Sequence, residues 1–184
     1  MPIWLIVIIA IVVLLVLWFI GVYNSLIKLR NKVKNQFSQI DIQLKKRYDL
    51  IPNLVETVKG YAKHESETFE KVIAARNGYA NAKTDEEKLE NAGELTQCVS
   101  RLLAVAENYP ELKADSQFLN LQTQLKDIED KISYARQFYN DAVMTYNNKI
   151  QVVPSNIVAG MCGFKQEKLF EADEQSRENV KVEF

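Results

Sequence analysis

The chain has 184 residues, 47% of them apolar, and its 23 Lys and Arg against 24 Asp and Glu leave a formal net charge of −1. Two cysteines and one histidine exclude a disulfide-rich secreted module and most histidine-based metal or catalytic sites. The averages also conceal an uneven distribution, because 21 of the first 23 residues are apolar and all 47 charged residues lie from Lys28 onward.

Residues 3–22 read IWLIVIIAIVVLLVLWFIGV, without a charge. A helix of that length spans about 30 Å, the hydrocarbon thickness of a bilayer. Trp4 lies near one end, and Trp18 and Tyr23 near the other, where amphipathic rings settle at a membrane surface. A cleaved signal peptide would need a basic segment before the apolar run and a small-residue cleavage site after it, and the sequence offers neither. Instead Lys28, Arg30, Lys32 and Lys34 follow the span, and the first acid is Asp41. The positive-inside rule then predicts an uncleaved single-pass anchor, with its N-terminus outside and the remaining chain in the cytoplasm.

Past the span, Leu26, Leu29, Val33, Phe37, Ile40, Leu44, Tyr48 and Ile51 step by three and four, which is one stripe of a helix. Pro52 is expected to kink or break that helix and is a candidate hinge, since its ring removes a donor and crowds the preceding turn. The period resumes at Leu54 and runs to Ile73, with a stop expected at Asn77-Gly78. Thr84-Asp85-Glu86-Glu87 predicts a capping box, opening a helix that Pro110 closes. Asp115 or Ser116 starts the clearest element, in which Phe118, Leu121, Leu125, Ile128, Ile132, Ala135, Tyr139, Ala142 and Tyr146 alternate steps of three and four. Four heptads without a slip imply long helices crossing at a shallow angle. The expected fold is therefore all-α, a transmembrane helix over 1–27 continuing into a long antiparallel bundle of four-helix type over 28–150. A loop and polar tail follow over 151–184.

Charge sharpens the division. Residues 28–47 hold seven Lys or Arg against one Asp, and the remainder holds sixteen against twenty-three acids, so a collar of +6 precedes a body of −7. Such a collar sets topology, and it also suits anionic headgroups.

No catalytic or metal-binding motif stands out in the chain. His64 is expected on the polar flank of its helix, with no HExxH or CxxC spacing nearby; Cys98 and Cys162 read as reduced packing residues, Cys162 in the loop Ala159-Gly-Met-Cys-Gly163. Carboxylates such as Glu65, Glu70, Glu129 and Asp130 read as solvated helix faces. There is no glycine-rich phosphate loop, no serine elbow, and no basic stripe interleaved with aromatics for nucleic acid. The expectation is a protein without catalytic residues, metal or cofactor. One feature stands apart from ordinary packing: Tyr139-Asn140 recurs seven residues later as Tyr146-Asn147, so both pairs face one side of a helix. Polar groups on a heptad seam either satisfy one another within the monomer or specify register and partner contacts.

The runs Tyr23-Asn-Ser-Leu-Ile-Lys-Leu-Arg30, Ile40-Asp-Ile-Gln-Leu-Lys-Lys-Arg47 and Asp49-Leu-Ile-Pro-Asn-Leu-Val-Glu-Thr-Val-Lys-Gly-Tyr-Ala62 resemble the LemA family. Arg101 to Lys113, Phe164, and the ending from Phe170 through Arg177 to Val-Glu-Phe184 continue the likeness. The resemblance implies a bacterial inner-membrane protein with an N-terminal anchor and a cytoplasmic helical bundle, and it carries over no activity, cofactor or catalytic residue. It also implies company, since family members are often encoded beside membrane proteases or envelope-stress proteins, and one branch serves in magnetosome membranes. The combined expectation is a membrane-anchored scaffold that self-associates and organises the bilayer or its proteins. The alternative is an accessory or sensing subunit of a membrane protease or envelope-stress system. Expected partners are thus the lipid bilayer, further copies of the chain and possible membrane-protein clients, with no nucleic acid.

Overall fold

The computed structural model describes residues 2–170; the tail from residue 171 onward, with Arg177 and the closing Val-Glu-Phe184, lies outside the described residues. The described residues form six helices in order: α1 (Ile3–Tyr61), α2 (Ser66–Asn81), α3 (Asp85–Ala106), α4 (Pro110–Lys113), α5 (Ser116–Gln151) and α6 (Ser155–Met161). No strand occurs among the described residues. The fold is all-α, with a long apolar N-terminal helix that runs on into the packed part of the chain.

The chain divides into two compact units. Both α1 and α5 contribute residues to each unit. One unit comprises the described residues of Met1–Gln39 and Tyr134–Phe184. In it α1 is exposed from Ile3 to Val16 on nearly every face, and its most hydrophobic window has no buried residue, which separates it from a core helix of a soluble domain. Burial begins at Leu26 and continues at Val33, and Tyr139, Val143, Tyr146 and Ile150 of α5 and Val158 of α6 are buried in the same unit. The Phe37 ring meets Tyr139 at 6.0 Å, while Tyr23 meets Phe164, past the end of α5, at 5.8 Å; α1 and α5 are therefore antiparallel here.

The second unit is Ile40–Ser133. Its core joins Ile51, Leu54 and Val58 of α1 to Phe69 and Val72 of α2, Leu95, Val99 and Leu102 of α3, Leu112 of α4, and Phe118 and Leu125 of α5. The helix α1 is unbroken at Pro52 and ends only at Tyr61. A proline in a helix interior costs about 3 kcal/mol. Here Ile51, Leu54, Val55 and Val58 on either side are buried, and burying even two such side chains outweighs that penalty. Likewise α2 runs through Gly78 to Asn81, because Tyr79 beyond the glycine is buried and the Asn91 side chain of α3 donates to the Gly78 carbonyl. The capping box at Thr84 forms as its spacing predicts: the Glu87 N–H donates to the Thr84 hydroxyl at 3.1 Å, and the Glu87 carboxylate accepts from the Thr84 N–H. Pro110 does not close α3, which stops at Ala106; it opens α4 instead.

Asp115 starts α5. Its carboxylate accepts from the N–H groups of Gln117 and Phe118 at 2.8 and 2.9 Å and from the Tyr61 hydroxyl at 3.0 Å. Those bonds, the one from Phe118 foremost, hold the Asp115 carboxyl below its ordinary value. A depressed folded value means that this contribution is complete above the unfolded carboxylate pKa and is lost as pH falls through the folded one. Asp115→Asn is therefore expected to lower the melting temperature of the detergent-solubilised chain at neutral pH, with the gap to wild type closing in acid. Thermal melts followed by circular dichroism across that range check it, and an unchanged gap would contradict the assignment.

Candidate functional site

The heptad repeat on α5 that carries Tyr139-Asn140 and Tyr146-Asn147 faces the segment that follows α6. Gly163 makes the approach possible. With φ at +70° it occupies the left-handed region, the Gly163 N–H donates to the Gly160 carbonyl, and the Phe164 N–H reaches back to that of Ala159. This pair of bonds is a Schellman motif, which ends α6 and turns the chain back along α5. Phe164 then lodges between the Tyr23 ring and the Arg30 guanidinium, the latter 5.4 Å from its centroid.

From there the chain is gripped through its backbone. The Tyr146 hydroxyl donates to the Lys165 carbonyl at 2.9 Å. The Asn147 amide closes a two-bond ring with Glu167, donating to its carbonyl at 2.8 Å and accepting from its N–H at 3.0 Å. One heptad earlier the pattern repeats three residues further on. Tyr139 donates to the Lys168 carbonyl at 3.1 Å, and Asn140 makes the same ring with Phe170 at 3.0 and 2.8 Å. Seven helical residues rise about 10.5 Å, and three residues of extended chain cover about 10 Å. The two ladders match, so the strap over 165–170 is extended and antiparallel to α5. Phe170 also stacks edge-on against Tyr139 at 4.9 Å and lies under Arg136. Burial raises the Tyr146 hydroxyl above its ordinary pKa, which keeps its proton available to the Lys165 carbonyl.

In the unit Ile40–Ser133 the polar centre is Arg47, only 3% exposed. One of its terminal nitrogens contacts both Glu129 oxygens, at 3.0 and 3.1 Å, and the Thr96 hydroxyl; the other donates to the Ala92 carbonyl at 2.7 Å. A cavity of about 380 Å³ opens beside it, walled by Val99, Leu103 and Leu125 as well as by this ion pair. Within the cluster the Thr96 hydroxyl also donates to the Glu129 carboxylate at 3.1 Å and to the Ala92 carbonyl at 3.0 Å, so guanidinium, hydroxyl and carboxylate are bonded to one another. Among the described residues no three His, Cys, Asp or Glu side chains gather as a metal site would require.

The family model described as the LemA family matches residues 36–184. This chain belongs to the LemA family. It is 27% identical to Protein LemA of Metamycoplasma hominis, over 88% of its own length and 74% of that relative. It is 25% identical to Magnetosome protein MamQ 1 of Paramagnetospirillum magneticum and 24% identical to Magnetosome protein MamQ of Magnetospirillum gryphiswaldense. It spans 64% of the length of either MamQ relative.

The remaining residues singled out in this LemA-family chain are dispersed. Trp4 and Trp18 lie exposed on the apolar length of α1, while Tyr23 packs on Phe164. Of the basic collar, Lys28, Lys32 and Lys34 are exposed, whereas Arg30 is half-buried over Phe164. Pro52 is exposed in mid-helix. His64 lies in the turn between α1 and α2 rather than on a helix flank, and Cys162 caps the C-terminal end of α6, a helix where a loop was expected. Ser155 explains that helix: its hydroxyl donates to the Lys149 and Val152 carbonyls, and Val158 and Ala159 bury themselves on the next turn. Sequence reasoning missed Arg47, Phe164 and the strap. The available signal was Arg47's spacing, three residues after Leu44 and four before Ile51, which puts it on the apolar stripe.

Proposed function

We propose that this LemA-family protein is a membrane-anchored scaffold that self-associates through α5 and organises the bilayer or the proteins within it, without catalysing a reaction. The observation that supports this reading is a pair of aromatic side chains one turn apart on α5, Tyr134 and Phe138, exposed to 63% and 58%. Large aromatics left in water at i and i+4 are the usual anchors of a helix-to-helix contact. Tethering to one bilayer raises the effective concentration at which such faces meet. In this reading the protein sits in the bacterial inner membrane with the helical part in the cytoplasm, as the Lys28, Arg30, Lys32 and Lys34 collar favours.

Mass photometry of the chain extracted in a gentle detergent tests the proposal. Wild type is expected to give species larger than the monomer, and Tyr134→Ser with Phe138→Ser to shift the distribution to monomer while helicity stays unchanged. A monomeric wild type at every concentration would overturn it.

A further inference from the structure

From Ile150 to Phe164 the chain carries no charged residue, although 26% of the whole sequence is charged, and Lys149 and Lys165 bracket the stretch. Within it, one face is used: Ser155, Val158 and Ala159 are buried against the unit. The other face is not. Ile157 and Met161, four residues apart on α6, are exposed to 58% and 74%, and Val152 and Val153 in the turn that leads into it are exposed too, Val153 to 78%.

The position of these side chains indicates what covers them. In the antiparallel register set by Phe37 against Tyr139, twelve residues further along α5 brings Gln151 level with Ser25, twelve residues back on α1. Both helices rise equally, so the end of α5 lies about 4.5 Å beyond Val22, where the apolar span stops. The ring contact between Tyr23 and Phe164 fixes the far end of the same hairpin at that level. A solvated group of Val, Ile and Met at this height borders the headgroup region of the bilayer that α1 crosses, and Lys28 and Lys32 are exposed on the turns of α1 that follow.

We infer that the turn after α5 and the outward face of α6 insert into the interfacial layer of that bilayer, giving the protein a second, monotopic membrane contact beside its transmembrane helix. An uncharged apolar stretch between basic residues is the composition such interfacial elements use, with apolar groups entering the acyl boundary and lysines meeting anionic headgroups. The contact fixes α5 against the membrane, so that the anchored protein is held at two points. The inference rests on α1 as the anchor and is independent of self-association.

The test uses the full chain with Cys98→Ser and Cys162→Ser, carrying an environment-sensitive fluorophore on a single cysteine introduced as Ile157→Cys. The protein is reconstituted in vesicles of phosphatidylcholine and phosphatidylglycerol that hold a spin label on either the headgroup or the upper acyl chain. A probe at Leu14→Cys, inside the apolar span, and one at Gln137→Cys, about 25 Å beyond Val22 along the antiparallel pair by the same register, serve as controls. The expected result is acyl-chain quenching at 157 approaching that at 14, exceeding the headgroup quenching at 157, and several-fold above that at 137. Adding Val153→Glu and Met161→Glu should return the probe to the level seen at 137 with helicity intact. Quenching at 14 but only from the headgroup, or not at all, at 157 would overturn the second contact while leaving the anchor in place. No quenching at 14 would overturn both. Blue-shifted emission at 157 that grows with protein-to-lipid ratio and resists lipid quenchers would assign these side chains to a second copy instead, and overturn the second contact too.

Discussion

Replacing Arg47 with alanine is expected to destabilise the unit Ile40–Ser133 by about 3 kcal/mol, as breaking a buried ion pair does. The larger lesson lies in the asymmetry of the two partners. Glu129 is partly exposed, so without Arg47 it can recover water, and the loss is chiefly packing, hydrogen bonds and an enlarged cavity next to Thr96. Arg47 has no such escape. Glu129→Leu leaves a guanidinium that is 3% exposed without the carboxylate it faces, which should make the acid's removal at least as damaging as the base's. Arg47→Met combined with Glu129→Leu removes both charges and fills the space with apolar groups, so its cost should fall well below the sum of the two single changes. Denaturant unfolding of the four proteins in detergent measures this cycle. Additive costs would show that the pair is not coupled, and a single loss under about 1 kcal/mol would place it among surface salt bridges.

The helices were legible in the sequence because a half-buried helix must repeat its apolar face every 3.6 residues, and α5 does so from Phe118 to Tyr146 without a slip. What periodicity gives is a face, and it does not say which neighbour completes it. Between Leu44 and Ile51 both position 47 and position 48 satisfy the spacing, and composition favours the tyrosine. The structure uses both, burying Arg47 against Glu129, 82 residues away, and half-burying Tyr48 beneath the Arg76 guanidinium at 4.0 Å. Pro52 misleads in the opposite direction, since its local penalty is real and the surrounding burial exceeds it. The Tyr-Asn heptads were visible as polar groups on an apolar seam. Their partner was not, because Lys165-Gln-Glu-Lys-Leu-Phe170 has no periodicity of its own and takes its shape from bonds made 19 to 30 residues back. Local propensity has no term for a segment whose conformation is dictated by a ladder elsewhere.

That ladder yields the second large effect. Asn140→Ala with Asn147→Ala should free the strap while leaving α5 intact, because the two amides are half-buried and point at the strap rather than into the helix pair. Each asparagine makes two hydrogen bonds to one residue's backbone. At about 1 kcal/mol net per bond, each loss removes about 2 kcal/mol of local stability, or roughly thirtyfold in amide protection at Glu167 or Phe170. Hydrogen exchange of the strap read by mass spectrometry detects this, with the buried amides of α5 as the internal reference. Tyr146→Phe is the milder control, since it keeps the buried ring and gives up only the bond to the Lys165 carbonyl. Protection unchanged in the double variant would mean that Phe164 and Phe170, seated against Tyr23 and Tyr139, hold the strap without help. A grip made through backbone atoms carries a further requirement, because the bonds from Tyr139, Asn140, Tyr146 and Asn147 all go to the strap's carbonyls and N–H groups. Lys165→Ser and Gln166→Ser should therefore leave strap protection within a factor of about two, and a large loss there would show that side-chain chemistry, and not the asparagine ladder, determines where this segment lies.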